Sequence, residues 1–144
     1  MIEKDTIKLL RECDAGVKMG ASSLHDVLQY AHSERLQQLL SDCRKEHDQL
    51  DSEIQENLSR FRDEGKEPSP IAQKMAEMGT KMKLSMHDSD QTIADLMTDG
   101  CNMGVKSLSR YLNQYKAADE ASKDIAKRLI ASEAKLAEDI RGFL

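Results

Sequence analysis

Tryptophan is absent from this chain, aromatic residues make up only 3%, and its 144 residues include just two prolines and seven glycines. Strands draw on aromatic and β-branched side chains, so the scarcity points away from a sheet-built core and toward helices. No window approaches the ~18 consecutive apolar residues of a membrane-spanning helix, so no membrane association is expected. The opening "MIEKDTIKLLREC" is charged and lacks the apolar centre of an export signal, and the chain is read as cytoplasmic. A concentrated basic patch is also missing. The net charge is −5, with lysines and arginines dispersed, which argues against a nucleic-acid partner. The three cysteines, Cys13, Cys43 and Cys101, are an odd number, and in a reducing compartment they read as buried thiols rather than a disulfide. No Ser/His/Asp arrangement, phosphate-cradling loop or dinucleotide fingerprint occurs.

What is present is charge, at 33% of residues, together with a strong helical period. The length suits one domain, 1–144, able to bury roughly 70% of its unfolded surface. Ile7, Leu10, Cys13, Val17, Ala21, Leu24, Leu28 and Ala31 recur at steps of three and four, predicting an amphipathic helix over 6–31. Ser33 is placed to cap a second helix, with Leu36, Leu40, Cys43, His47, Leu50, Ile54 and Phe61 on its seam and Gly65 as its stop. "DEGKEPSP" is the clearest break, and Ser69 before Pro70 reads as the start of a third helix. That helix carries a methionine stripe: Met75, Met78, Met82 and Met86. Asp88 and Gln91 have capping-box spacing ahead of a fourth helix bearing Ile93, Met97, Cys101, Val105, Leu108, Leu112 and Tyr115. A turn near Ala117 to Ala121 leads to a last helix with Ile125, Leu129, Ser132, Leu136 and Ile140.

One word is said twice. "CDAGVKMG" from Cys13 and "CNMGVKSL" from Cys101 share Cys-x-x-Gly-Val-Lys at an offset of 88, and Leu24 and Leu112 extend the match. Leu50 and Ile54 match Leu136 and Ile140 at an offset of 86, as a shorter second turn would give. The chain therefore reads as two similar αα-hairpins, 6–64 and 89–143, joined by a crossover helix over 70–86. Neither hairpin can hide its apolar stripe alone, so the pair is expected to close into an antiparallel four-helix bundle.

This order resembles the ferritin-like superfamily, and within it an uncharacterised bacterial branch in which a short helix and a polar turn, as in "MKLSMHDSDQTIADL", precede the second pair. The resemblance implies an all-α, ferritin-like antiparallel bundle. It also implies a di-metal chemistry built on one Glu from the first helix of each pair and Glu-x-x-His from the second. That set is not intact here. Val17 and Val105, or Cys13 and Cys101, stand where the first glutamates belong. Glu46 and His47 are adjacent rather than three apart, and the second hairpin offers Glu133 in "SEAK" with no histidine after His87. No catalytic residue and no cofactor are predicted.

The remaining metal candidates are Cys43 and His47, four apart on one helical face, with Glu46, Glu133, Cys13 and Cys101 as further donors. Such a set suits iron, manganese or zinc. The plainer reading is that the cysteines act as small buried hydrophobes and His47 as a hydrogen-bonded core residue. Gly16, Gly20, Gly100 and Gly104 interrupt helices, and are expected to serve close packing, the alternative being room for a bound ligand or metal. The methionine stripe is expected to pack on the bundle, the alternatives being a docking face for a homodimer or an unidentified protein, or a set of soft-metal ligands. His25, His32 and His87 are expected in solvent, as is the charged face of the second helix with its Glu56–Arg60 pair. The leading expectation is a non-catalytic bundle acting through binding or self-association, with an altered-site metalloprotein or oxidoreductase as the alternative.

Overall fold

The computed structural model describes residues 2–86 and 88–144, and the side chains of all of these except residues 2, 71, 72, 82, 85 and 86. The expectations placed on His87 and on the side chains of Met82 and Met86 lie outside the described residues. Five helices follow in order: α1 (Ile2–Leu28), α2 (Glu34–Arg60), α3 (Pro70–Met86), α4 (Asp90–Gln114) and α5 (Glu120–Asp139), closed by a 3-10 turn at Arg141–Phe143. No strand occurs among the described residues, so the fold is all-α. Among them, no helix is long and apolar enough to cross a membrane.

Local chemistry accounts for the helix ends. The first turn of α1 carries Glu3 and Asp5, which favour a helix N-terminus, and the helix begins at Ile2 rather than residue 6. It closes early as well, because Tyr30 N–H and Ala31 N–H bond to the carbonyls of Val27 and Leu28 and tighten the last turn. Ser33 caps α2 as expected, its hydroxyl accepting from Leu36 N–H at 3.3 Å. Gly65 does not stop α2. The helix ends at Arg60, with the Phe61 N–H bonding back to Leu58 and Ser59. Pro70 opens α3. The cap of α4 is Ser89 rather than Asp88: its hydroxyl accepts from Thr92 N–H at 3.1 Å, and Asp88 instead meets the His32 ring. Asp119 caps α5, accepting from Ser122 N–H at 2.8 Å.

α1 packs along α2 and α4 along α5, and across the two pairs α2 meets α5 while α1 meets both α4 and α5. Directions alternate. Cys43 lies beside Ser132 and Glu53 beside Arg128, so α2 and α5 run opposite ways. The ends of α1 and α4 cap each other's turns. Asp90 accepts from the backbone N–H groups of His32 and Ser33 in the first turn, at 2.8 and 2.9 Å. Asp5 and Thr6 accept from those of Ala117 and Asp119 in the second, at 3.0 and 2.8 Å. Four otherwise unpaired donors are satisfied by this exchange.

The core falls into two apolar clusters. One is built on Leu24, Val27, Leu36, Leu40, Ile93, Met97, Leu136 and Ile140. The other is built on Leu9, Leu10, Val17, Leu50, Ile54, Leu108, Ile125 and Leu129. Each draws on α1, α2, α4 and α5, and the stretch between them along those helices carries Gly20, His47, Gly104, Ser132 and Glu133.

Outside this frame α3 packs against α1 and α4, with Leu84 its buried anchor. Met75 and Met78 do not pack as the stripe suggested; they are 69% and 66% exposed. The linker before α3 is seated on Asp14, which has no exposed surface. Its carboxylate accepts from Lys66 N–H at 2.8 Å, from Gln55 Nε2 at 2.7 Å and from Lys18 Nζ at 3.2 Å. Gly65 passes directly over it with φ +86°, and a β-carbon there would run into the Asp14 carboxylate. Gly65→Ala should therefore cost about 1–3 kcal/mol of stability, read as a lowered urea midpoint. An unchanged midpoint would mean that the linker is not held on Asp14.

Candidate functional site

Halfway along α2, the His47 ring folds back on its own helix. Nδ1 lies 2.9 Å from the Cys43 carbonyl oxygen, one turn earlier. A carbonyl only accepts, so Nδ1 carries the proton of that bond and Nε2 is turned away from the helix. From α5, Glu133 brings Oε1 to 3.6 Å from Nε2, a charge contact too long for a hydrogen bond. His47 and Glu133 are 1% and 7% exposed, yet His47 Nε2 and Glu133 Oε2 have no hydrogen-bond partner. Buried orphans of this kind are uncommon and costly.

Two glycines on the facing helices make the space. A β-carbon at Gly20 of α1 would lie 2.6 Å from His47 Nε2, and one at Gly104 of α4 would strike Glu133 Oε2. Gly16 differs: its nearest neighbours, Leu108 and Leu129, are at an ordinary 3.9 Å. Gly100 has nothing within 4 Å. Close approach of a neighbouring helix's side chain therefore explains Gly20 and Gly104, whereas packing does not explain Gly100. The repeated word also does not keep its surroundings, since Gly16 faces leucines where Gly104 faces a carboxylate.

Both unpaired atoms belong to residues lining a cavity of about 670 Å³ between α1, α4 and α3. The volume falls within the roughly 300–1,000 Å³ typical of small-molecule sites. Met19, Leu24, Leu96 and Met97 give it apolar walls, Cys43 and Cys101 line its floor, and α3 contributes Met75, Ala76, Gly79, Thr80 and Lys83. α3 thus stands over the cavity, with the small Ala76 and Gly79 in its lining and the largely exposed Met75 at its edge.

Of the residues singled out as metal ligands, Cys43, His47 and Glu133 come together, with Cys101 on the same cavity. Cys43 Sγ is 3.7 Å from both His47 Nδ1 and Ser132 Oγ. Cys13 lies in the other apolar cluster. Glu46 is exposed and lines a separate surface depression with Arg128 and Lys135. Among the described residues, no group of three or more His, Cys, Asp or Glu side chains is arranged to hold a metal ion. Burial, with Glu133 and Cys43 nearby, pushes the Cys101 thiol up to about 12. Burial, with Glu12 and Asp14 beside it, does the same for Cys13. Both stay protonated at neutral pH, unlike reactive or metal-bound thiolates. Ser132 is a site residue that sequence reasoning places only on the apolar stripe of the last helix, whereas Gly20 and Gly104 stand among the four helix glycines for which close packing or room for a ligand is expected.

No protein-family model, curated protein or solved structure matches the chain.

Four outcomes follow from this geometry. Gly100→Ala should stabilise the protein by roughly 0.5–1 kcal/mol in urea melts, because it relieves a helix glycine in open space. Gly20→Ala should instead lose about 1–3 kcal/mol, because the ring it strikes is pinned by the Cys43 carbonyl. Equal gains in the two variants would refute the placement of His47. Cys13 is buried in the apolar cluster away from the cavity, so a thiol-specific chromogenic reagent should label it in the native protein only as fast as the protein unfolds.

The fourth outcome concerns pH. Desolvation works to lower the His47 pKa, but the Cys43 sulfur and the Glu133 carboxylate outweigh it and raise it from 6.5 to about 10. A raised pKa means that the charged ring stabilises the fold fully below about 6.5 and that this contribution is lost as pH rises through about 10. His47→Gln should flatten that alkaline decline in urea midpoints, and an unaltered pH profile would count against the pairing.

Proposed function

We propose that the chain is a ferritin-like antiparallel four-helix bundle, with α3 as its crossover helix, which acts without catalysis by binding a small molecule in its central cavity. Support for the architecture comes from the order of the helices, the alternating directions of neighbours, and the reciprocal capping of each hairpin turn by the other hairpin's first helix. A polar layer midway between two apolar clusters is where a ferritin-like protein keeps its ligands. Here that layer holds one histidine, one carboxylate and two glycines.

The observation that carries the binding reading is the largely apolar cavity of about 670 Å³, whose lining includes the buried residues His47 and Glu133. A folded chain gains nothing from desolvating them alone. The neutral dye N-phenyl-1-naphthylamine should brighten on binding the native protein. Gly79→Leu with Gly100→Leu, both at positions where a β-carbon meets nothing within 4 Å, should fill the cavity mouth and abolish that signal without lowering the melting temperature. Stoichiometric iron or manganese with oxidase activity after anaerobic reconstitution would sink the non-catalytic reading.

The second reading, an altered metalloprotein or oxidoreductase centre, draws on one specific feature. The Nδ1 bond of His47 to a backbone carbonyl is the arrangement that orients a metal-binding imidazole. Cys43 and Glu133 would be its partner donors, with iron, manganese or zinc as the ion supplying Lewis-acid or redox chemistry. This reading requires metal in the purified protein that disappears when Cys43 and His47 are replaced together.

Self-association is carried separately by Met75, Met78 and Met103, which are all exposed. If the α3 face joins two copies, Met75→Lys with Met78→Lys should halve the mass measured by light scattering. An unchanged mass would remove the homodimer.

A further inference from the structure

We infer that the cavity holds one long, unbranched aliphatic chain lying along α1 and α4, its tail buried beside Leu24 and its polar head at the linker before α3. The inference rests on the binding reading above and specifies what is bound.

The lining sets the shape of the occupant. It follows α1 from Glu12 to Val27 and α4 from Leu96 to Tyr111, so at ~1.5 Å per residue the cavity is drawn out over roughly 22 Å. A β-carbon at Gly16 would lie 3.9 Å from Leu108, and Leu24 shares an apolar cluster with Met97, so the two walls run side by side in opposite directions. Spread over that length, about 670 Å³ makes a trough. A compact ring system would leave much of the trough empty. An extended chain of about sixteen carbons spans it, because a zigzag of ~1.5 Å single bonds advances about 1.25 Å per bond. The unbranched side chains of Met19 and Met97, with Met75 and Met103 at the edge, adjust to such a chain.

The two ends differ, which gives the chain a direction. One end runs into the cluster that holds Leu24, Val27, Met97, Cys101 and Leu136, where an alkyl tail leaves water behind. The other meets Glu12, Pro68, Ser69 and Tyr111, and Lys66 Nζ donates to Glu12 there at 2.7 Å. Charge excludes another class of ligand. Among the described lining residues Lys83 is the one lysine or arginine, against Glu12, Asp99 and Glu133, so a nucleotide or other polyanion lacks counter-charges. The chain makes no contact with His47 Nε2 or Glu133 Oε2, which are fully buried against the backbones of Gly20 and Gly104.

The test uses the full chain with bound N-phenyl-1-naphthylamine, displaced by octanoyl-, dodecanoyl-, hexadecanoyl- and octadecanoylcarnitine, which share one head group. Affinity should rise by up to about fourfold per added methylene, the equivalent of ~0.8 kcal/mol, and level off at the hexadecanoyl chain. Progesterone, a rigid apolar body, should be at least about tenfold weaker than that chain. Palmitate and 1-palmitoyl-lysophosphatidylcholine, run beside them, show whether the chain is taken as a free acid or on a phospholipid, and tight binding of either supports the assignment. Ser23 lines the trough next to Leu24, so Ser23→Phe should move the plateau to a shorter chain while octanoylcarnitine binds as before. Ser23→Leu should give a smaller shift in the same direction with less risk to folding. The chain assignment alone is overturned if affinity does not rise with chain length, if progesterone equals the hexadecanoyl chain, or if neither Ser23 variant moves the plateau. If the dye does not bind the native protein, or if Gly79→Leu with Gly100→Leu leaves dye binding intact, the cavity reading falls with it.

Discussion

The arrangement of this protein turns on one requirement: a histidine and a carboxylate are buried side by side midway along four packed helices. Taking both out of water is expensive, and their contact at 3.6 Å repays only part of it. The consequences spread outward from there. α1 and α4 carry glycine where they face the pair, at Gly20 and Gly104, although glycine weakens a helix. The apolar core divides into a cluster on either side. Two polar atoms remain unsatisfied on residues that line a cavity. A bundle selected for stability alone would fill this level with leucine, so the layer is best understood as something the fold supports rather than something that supports the fold.

α3 and its linker belong to the same account. Among the described side chains, the core is built by α1, α2, α4 and α5, with Leu84 as the contribution from α3. What it does is stand over the cavity, held at one end by Leu84 and at the other by a linker seated on the buried carboxylate of Asp14. Small residues at Ala76 and Gly79 keep its inner face from filling the space beneath. The exposed Met75 and Met78 are the other side of that geometry: a helix spaced away from the bundle leaves part of its apolar stripe in water.

Much of the fold was legible before any coordinates. The steps of three and four along Leu36, Leu40, Cys43, His47, Leu50 and Ile54 describe the buried seam of α2 as found. Ser33 and Pro70 mark helix starts because capping and a fixed φ act within a few residues. The failures came where two local solutions compete. Asp88 and Ser89 can each cap α4, and His32, 56 residues away in sequence, draws Asp88 aside. Gly65 was read as a helix stop because its conformational freedom is real, but that freedom is used in the linker, against Asp14. The doubled Cys-x-x-Gly-Val-Lys misled in a similar way. α1 packs against four helices and α4 against fewer, so Val17 is buried where Val105 is half-buried.

The sequence by itself determined the helices, their apolar seams and the pairing of α1 with α2 and of α4 with α5, because periodicity, capping and short turns are properties of neighbouring residues. It also brought Cys43 and His47 together, since four residues make one turn. Only the tertiary structure decided that Glu133 joins them, that Cys13 and Glu46 do not, and that Gly20 and Gly104 are the residues that admit the pair. Those choices depend on the height and rotation at which separate helices meet, and helix packing sets both by fitting whole faces together rather than by any local signal.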